Sequence, residues 1–168
     1  MSIEIRRELA ADLSAIEAVT AAAFRNAPNT SHTEQSIVNA LRKARQLTLS
    51  LVADFDGTLV GHVAVSPVSI SDGAPGWFGL GPISVVPEHQ RRGVGSRLMC
   101  EALRILLEDG AAGCVVLGEP RYYSRFGFQV DPGLVLPGTP PEYFQAVSFG
   151  LSQPVGIVSY HGAFHAQG

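Results

Sequence analysis

No run of apolar residues in this chain approaches the ~20 that a bilayer-spanning helix needs. The start, Met-Ser-Ile-Glu-Ile-Arg-Arg, lacks the pattern of a secretory leader. Both absences point to a cytoplasmic protein with no membrane partner. Cysteine is scarce: Cys100 and Cys114 fall in a predicted helix and a predicted strand, as reduced, packed thiols do, and neither has an activating neighbour pattern. Charge is scarce too, with 16% charged residues and a formal net charge of -3, so no overall positive field exists to hold nucleic acid. Any anion site must be made by local charge.

Familiar catalytic signatures are missing as well. Gly79-Leu80-Gly81-Pro82-Ile83-Ser84 lacks the third glycine of a dinucleotide fingerprint and leads into a strand instead of a helix. There is no Walker lysine motif and no Gly-x-Ser-x-Gly elbow. His161 and His165 lie four apart without a glutamate between them, which reads as frayed surface, and no metal site is expected. With no internal repeat and no dividing linker, residues 1–168 read as one domain. Their 46% hydrophobic content is that of an ordinary globular protein.

What is present is a sequence of well-marked elements. Ile3 and Ile5 alternate with polar residues in a first strand. Asp12 is placed to N-cap a helix running to about Phe24, and Ile37, Leu41 and Ala44 mark the inner face of a second helix. Between them, residues 25–33 are rich in turn-formers. Residues 47–70 read as a hairpin around Asp56-Gly57. Trp77, Phe78 and Leu80 lead into a β-branched strand through Val86, where Pro82 removes a donor and argues for a bulged ladder. Leu98, Ala102 and Ile105 set the buried stripe of a further helix, "GCVVLG" is a short buried strand, and "VGIVSYH" is a candidate last strand after the Pro/Gly-dense residues 131–154. The order predicts an α/β fold whose mixed sheet is covered on both faces.

The stretch "EHQRRGVGSRLM", residues 88–99, is the anomaly. It places two glycines and two arginines where a helix begins, although glycine weakens a helix and the helix N-terminus is already positive. An arriving anion resolves the conflict: free amides would point at it, and glycines would let it come close. A flexible turn with solvated arginines is the other reading of this stretch taken by itself.

Gln90-Arg91-Arg92-Gly93-Val94-Gly95 resembles the pyrophosphate loop of the GNAT superfamily, Gln/Arg-x-x-Gly-x-Gly/Ala. "GLGPISVVPEHQ" resembles the strand before it, and "YYSRFGF" the later segment carrying a tyrosine and Gly-Phe. The resemblance extends over nearly the whole chain, toward the YhbS-like branch. It implies an acyl-CoA N-acyltransferase fold with a mostly antiparallel, splayed sheet, an acetyl-CoA cosubstrate, no metal, and an amine acceptor, small molecule or protein; a homodimer is compatible with it. It further implies that amides from Arg91 through Ser96 cradle the pyrophosphate, with Arg91, Arg92 or Arg125 meeting the other phosphates. The backbone of Ile83, Ser84 and Val85 would pair with pantetheine across a gap toward the strand ending at Gly118. Tyr123 matches the general acid of the family, and Tyr122 is its aromatic neighbour.

Direct transfer to an amine also needs a proton acceptor. Glu119, at the end of the strand beside the implied sulfur position, is the candidate selected. His62, Glu34 and His32 are alternatives, and each has an ordinary reading as a cap, a sheet residue or loop surface. The acceptor pocket is expected from residues 25–36, Trp77, Phe78 and residues 132–153. A non-catalytic acyl-CoA binding or sensing module is the competing function.

Overall fold

The computed structural model describes residues 2–25, 33–150 and 153–165. In chain order these form β1 (Ile3–Arg7), α1 (Leu13–Phe24), α2 (Glu34–Lys43), β2 (Leu49–Phe55), β3 (Thr58–Ile70) and β4 (Trp77–Val85). There follow α3 (Val94–Glu108), β5 (Gly113–Leu117), the single turn α4 (Pro120–Tyr123), β6 (Leu134–Val135), β7 (Phe144–Ser148) and β8 (Gly156–Tyr160). The eight strands make one mixed sheet in the order β1-β2-β3-β4-β5-β7, with β8 pairing β3 and β6. Only β4–β5 and β6–β8 run parallel. Among the described residues no helix is long and apolar enough to cross a membrane.

Alternation along the strands sorts the two faces. Leu49, Leu51, Val63, Val65, Leu80, Cys114 and Val116 meet α3, which lays down Val94, Leu98, Met99, Ala102, Ile105 and Leu106 at helical spacing. Each fully buried aliphatic side chain there contributes about 1.5–3 kcal/mol. Gly61 lets the start of α3 press onto β3: a Cβ on it would lie 3.1 Å from both Leu98 Cδ1 and Val94 Cγ1. Val52 and Ala64 face the other way, onto Ile16 of α1 and Val38 of α2. The hairpin forms as expected, with Asp56 (φ 48°) and Gly57 (φ 94°) both left-handed, as a tight turn between twisted strands requires.

Three expectations are corrected. Asp12 stands at the start of α1, but its carboxylate makes no bond to that helix; it accepts from Leu9 N at 2.7 Å and pairs with Arg6 at 2.8 Å. The Pro/Gly-dense segment holds two strands, and β7 pairs along the whole of β5 from Gly113↔Ser148 to Leu117↔Phe144. The C-terminal histidines are not on a frayed end: His161 Nδ1 accepts from Ala163 N at 3.0 Å, and Ala163 packs onto Ile37 and Leu41.

His62 is wholly buried on the α1/α2 face. Its Nε2 lies 2.7 Å from Ser50 Oγ, Ser50 donates its only proton to Glu8, and Glu8 is paired with Arg42 at 2.6 Å. Nε2 must therefore carry the imidazole proton and Nδ1 the lone pair. Burial holds the ring neutral, lowering its pKa from 6.5 to about 4. An unfolded chain takes up that proton more readily, so the stability conferred by a neutral His62 is complete above pH 6.5 and is lost as pH falls toward 4. The loss should amount to about 3 kcal/mol. Asp12, held low first by the hydrogen bond from Arg6, gives up its contribution only at still lower pH. Denaturant titrations from about pH 7 down to pH 4 should show this decline, flattened in His62→Gln; an identical slope in the variant would refute the assignment.

Candidate functional site

β4 and β5 begin side by side and then separate. They pair only at Trp77↔Gly113, Phe78↔Cys114 and Gly79↔Val115. On its other edge, β4 stays bound to β3, but its register slips between Val63↔Ile83 and Val65↔Leu80, leaving an extra residue on β4 at Gly81-Pro82. This is the bulge that Pro82 predicted. It turns the second half of β4 away from β5, so among the described residues no strand pairs with that edge from Leu80 to Val85.

The gap opens toward the N-terminus of α3, where a cleft of about 370 Å³ is lined by Ile83 and Val85 of β4, by His89, Gln90, Arg91, Gly93, Gly95 and Ser96, and by Tyr122 and Arg125. Arg91 (φ 64°) and Gly93 (φ 83°) are both left-handed, and such left-handed residues are a feature of anion-binding nests. The conformation costs a non-glycine residue such as Arg91 about 1–2 kcal/mol. Gly93 occupies the N-cap position of α3 without a side chain to cap it, and among the described residues no side chain accepts from the first-turn amides. Gln90 anchors the loop, donating from Nε2 to the Val85 carbonyl at 2.9 Å.

Beyond β5, two tyrosines sit where glycines leave room. A Cβ on Gly118 would lie 2.7 Å from Tyr123 Cε2, and one on Gly95 would lie 2.8 Å from Tyr122 Oη. The rings meet edge to face with centroids 5.1 Å apart, and the Arg125 guanidinium lies 4.6 Å from the Tyr122 centroid. Burial pushes the Tyr122 hydroxyl upward, with Ser96 acting in the opposite direction. Tyr123 is buried further, and its hydroxyl is pushed up to about 12, mainly by desolvation.

The residues anticipated for one site are largely, but not uniformly, brought together. Ile83, Val85, Gln90, Arg91, Gly93, Gly95, Ser96, Tyr122 and Arg125 line the cleft. Arg92 is exposed and outside that lining, and Val94 turns its side chain into the core while leaving only its amide at the loop. Ser84 is buried on the opposite face, directly across from His62. Gly118 has its amide committed to the Tyr143 carbonyl at 2.8 Å and its carbonyl to Gln145 Nε2 at 3.3 Å, so what it offers the gap is room for Tyr123. Glu119 is exposed and caps α4, accepting from Arg121 N at 3.3 Å.

The expected acceptor wall needs correction. Trp77 is buried, packed over Gly113 in a second core with Val115 and Phe144, and Phe78 packs against the α3 core. Of the loop at 25–36, residues 26–32, including His32, lie outside the described residues; Arg25 and Gln35 line a separate cleft of about 340 Å³ with Ala21 and Phe24. His89 was not anticipated. It lines the main cleft with its ring 5.3 Å from Phe55, and its place within the 88–99 stretch was the available signal. Among the described residues no group of three potential ligands could hold a metal ion.

The family profile described as "Acetyltransferase (GNAT) domain" matches residues 4–130. The chain is 34% identical to the uncharacterized N-acetyltransferase YhbS of Escherichia coli (strain K12), over 96% of this chain and 98% of that one. Among solved structures, a GNAT family acetyltransferase from Brucella melitensis in complex with acetyl-CoA is 46% identical, with a TM-score of 0.87 over 97% of this chain and 98% of that chain. The structure of Escherichia coli YhbS in complex with CoA is 35% identical, with a TM-score of 0.87 over 99% of this chain and 93% of that chain. With a free strand edge leading to an uncapped helix start, and with relatives matched end to end, this chain belongs to the GNAT N-acetyltransferases.

Proposed function

We propose that the protein transfers an acetyl group from acetyl-CoA directly to a primary amine, a small molecule in preference to a protein. The observation that carries the reading is the unpaired edge of β4 running up to the uncapped N-terminus of α3. Acetyl-CoA supplies an activated thioester. The amides from Arg91 to Ser96, aided by the Arg91 and Arg125 guanidiniums, hold its diphosphate, and no side chain competes for the first-turn donors. Along this strand the backbone groups of Ile83 and the Val85 amide face the free edge, while Ser84 pairs with His62 of β3, and an extended amide chain can pair with that edge as an added strand. A backbone N–H on the same edge can stabilise the negative charge that develops on the acyl oxygen.

Tyr123 is the acid. At about 12 its hydroxyl stays protonated through the physiological range and donates to the departing sulfur. A free thiol near ~8.5 would be too weak a base to take that proton outright. Desolvation of the departing sulfur within the gap would raise its proton affinity and narrow the mismatch. Glu119, at the N-cap of the turn that carries Tyr123, receives the proton of the amine through water. The molecule-sized cleft beside Phe24, Arg25 and Gln35 supports a small acceptor.

Thiol release over a panel of amines tests the reading. Tyr123→Phe should lower kcat by about 10²–10⁴ while leaving calorimetric CoA affinity unchanged, and full activity in that variant would reject Tyr123 as the acid. Because the Tyr123 hydroxyl titrates at about 12, no alkaline fall in kcat from this group should appear below about pH 11. Arg91 lines the cleft and Arg92 does not, so Arg91→Ala should weaken CoA binding about tenfold, a lost charged hydrogen bond, and Arg92→Ala hardly at all. Equal losses in the two would contradict the phosphate placement.

A further inference from the structure

We infer that the ring of Tyr160 walls off the closed end of the gap between β4 and β5, restricting the acyl group to acetyl and excluding longer chains. The inference rests on the acetyl-CoA reading above.

Gly79↔Val115 is the last pair before the strands part, so Gly79 marks the vertex. A Cβ on Gly79 would collide with Tyr160 Cε1 and lie 3.1 Å from Cδ1: the ring rests on bare backbone at that point. Phe78 and Leu80 point into the α3 core, so Gly79 and the ring above it belong to the opposite face. Tyr123 approaches from the α3 side. Gly118, whose missing side chain admits it, continues the alternation of Cys114 and Val116, both of which face α3. The two tyrosines therefore flank one gap from its two faces. The Tyr160 hydroxyl is raised by burial, in keeping with a side chain that lies against the sheet instead of in solvent.

The wall is held in place. Tyr160 pairs with Val68 of β3, and its ring meets Phe164 at a centroid distance of 4.9 Å. The direction of the ligand supplies the rest. Phosphates gathered at α3 lie past Val85, so a pantetheine arm laid back along β4 points its thiol end at the vertex. An acetyl group stops short there, whereas a longer chain needs the volume that the Tyr160 ring fills.

Titration calorimetry with acetyl-CoA and hexanoyl-CoA tests this without any acceptor. The wild-type protein should favour acetyl-CoA by about tenfold or more. Tyr160→Leu and Tyr160→Ala should raise hexanoyl-CoA affinity about tenfold and leave acetyl-CoA within about threefold, since only the wall is removed. Tyr160→Phe should keep the wild-type preference, because the ring and not the hydroxyl is the barrier. Tyr160→Leu keeps apolar packing against Val68 and Phe164 should the alanine variant fail to fold, and Tyr160→Trp should act in the opposite sense, weakening acetyl-CoA. Equal affinity of the wild-type protein for both ligands, or a preference untouched in the leucine and alanine variants, overturns the inference. If CoA itself binds normally while the preference stays fixed, only this inference falls; if CoA gives no heat, the phosphate site and the inference fall together.

Discussion

The separation of β4 from β5 after Gly79 and Val115 is the constraint on which the rest of the site depends. A sheet interior ordinarily has every backbone donor and acceptor paired, since an unmet polar group away from water is expensive. Here β3 holds one edge of β4 firmly while the bulge at Gly81-Pro82 swings the other edge free. The strand thus keeps its place in the sheet and still presents a run of unpaired amides. That arrangement is stable because the core does not depend on the missing pairing: α3 packs across β2, β3, β4 and β5, and β7 completes the far edge of β5.

Glycine sets the local geometry by making room for aromatic rings. Gly118 admits Tyr123, Gly95 admits the Tyr122 hydroxyl and Gly79 admits Tyr160, and at each position a Cβ would come within 3 Å of the tyrosine side chain it accommodates. These contacts place rigid side chains against backbone at the rim and vertex of the gap. They also remove the hydroxyls from water, which is why all three are shifted upward and remain protonated donors. Positive charge is distributed differently. Arg125 is braced by its stacking on Tyr122, Arg91 by a left-handed turn, and both face the cleft although the whole chain carries a net charge of -3.

Polar burial elsewhere belongs to the frame. His62, Ser50, Glu8 and Arg42 form a continuous chain from the middle of the sheet to α2, tying β2 and β3 to the helical layer. His62 was a candidate base in the sequence, but it is buried on the α1/α2 face outside the cleft lining, and a pKa lowered to about 4 makes its ring a weak proton acceptor. Its contribution is to the stability of the strand that holds β4 in position.

The sequence by itself determined most of the elements and singled out the glycine-rich loop before α3. Alternation in β2 and β3, helical spacing in α3 and the paired glycines at 93 and 95 are local patterns, because each is fixed by backbone geometry within a few residues. The proline at 82 even announced the bulge. Only the tertiary structure decided which side chains reach the gap. Arg91 and Arg92 are neighbours in sequence, yet one lines the cleft and the other does not, in a loop whose left-handed residues at 91 and 93 flank Arg92. Trp77 looked available for an acceptor and is buried, since Gly113 lies beside it across a parallel pairing. β7 was hidden among prolines and glycines, and Tyr160 lies 81 positions from the Gly79 it covers. Long-range pairing and packing made those choices, and no short window of sequence contains both partners.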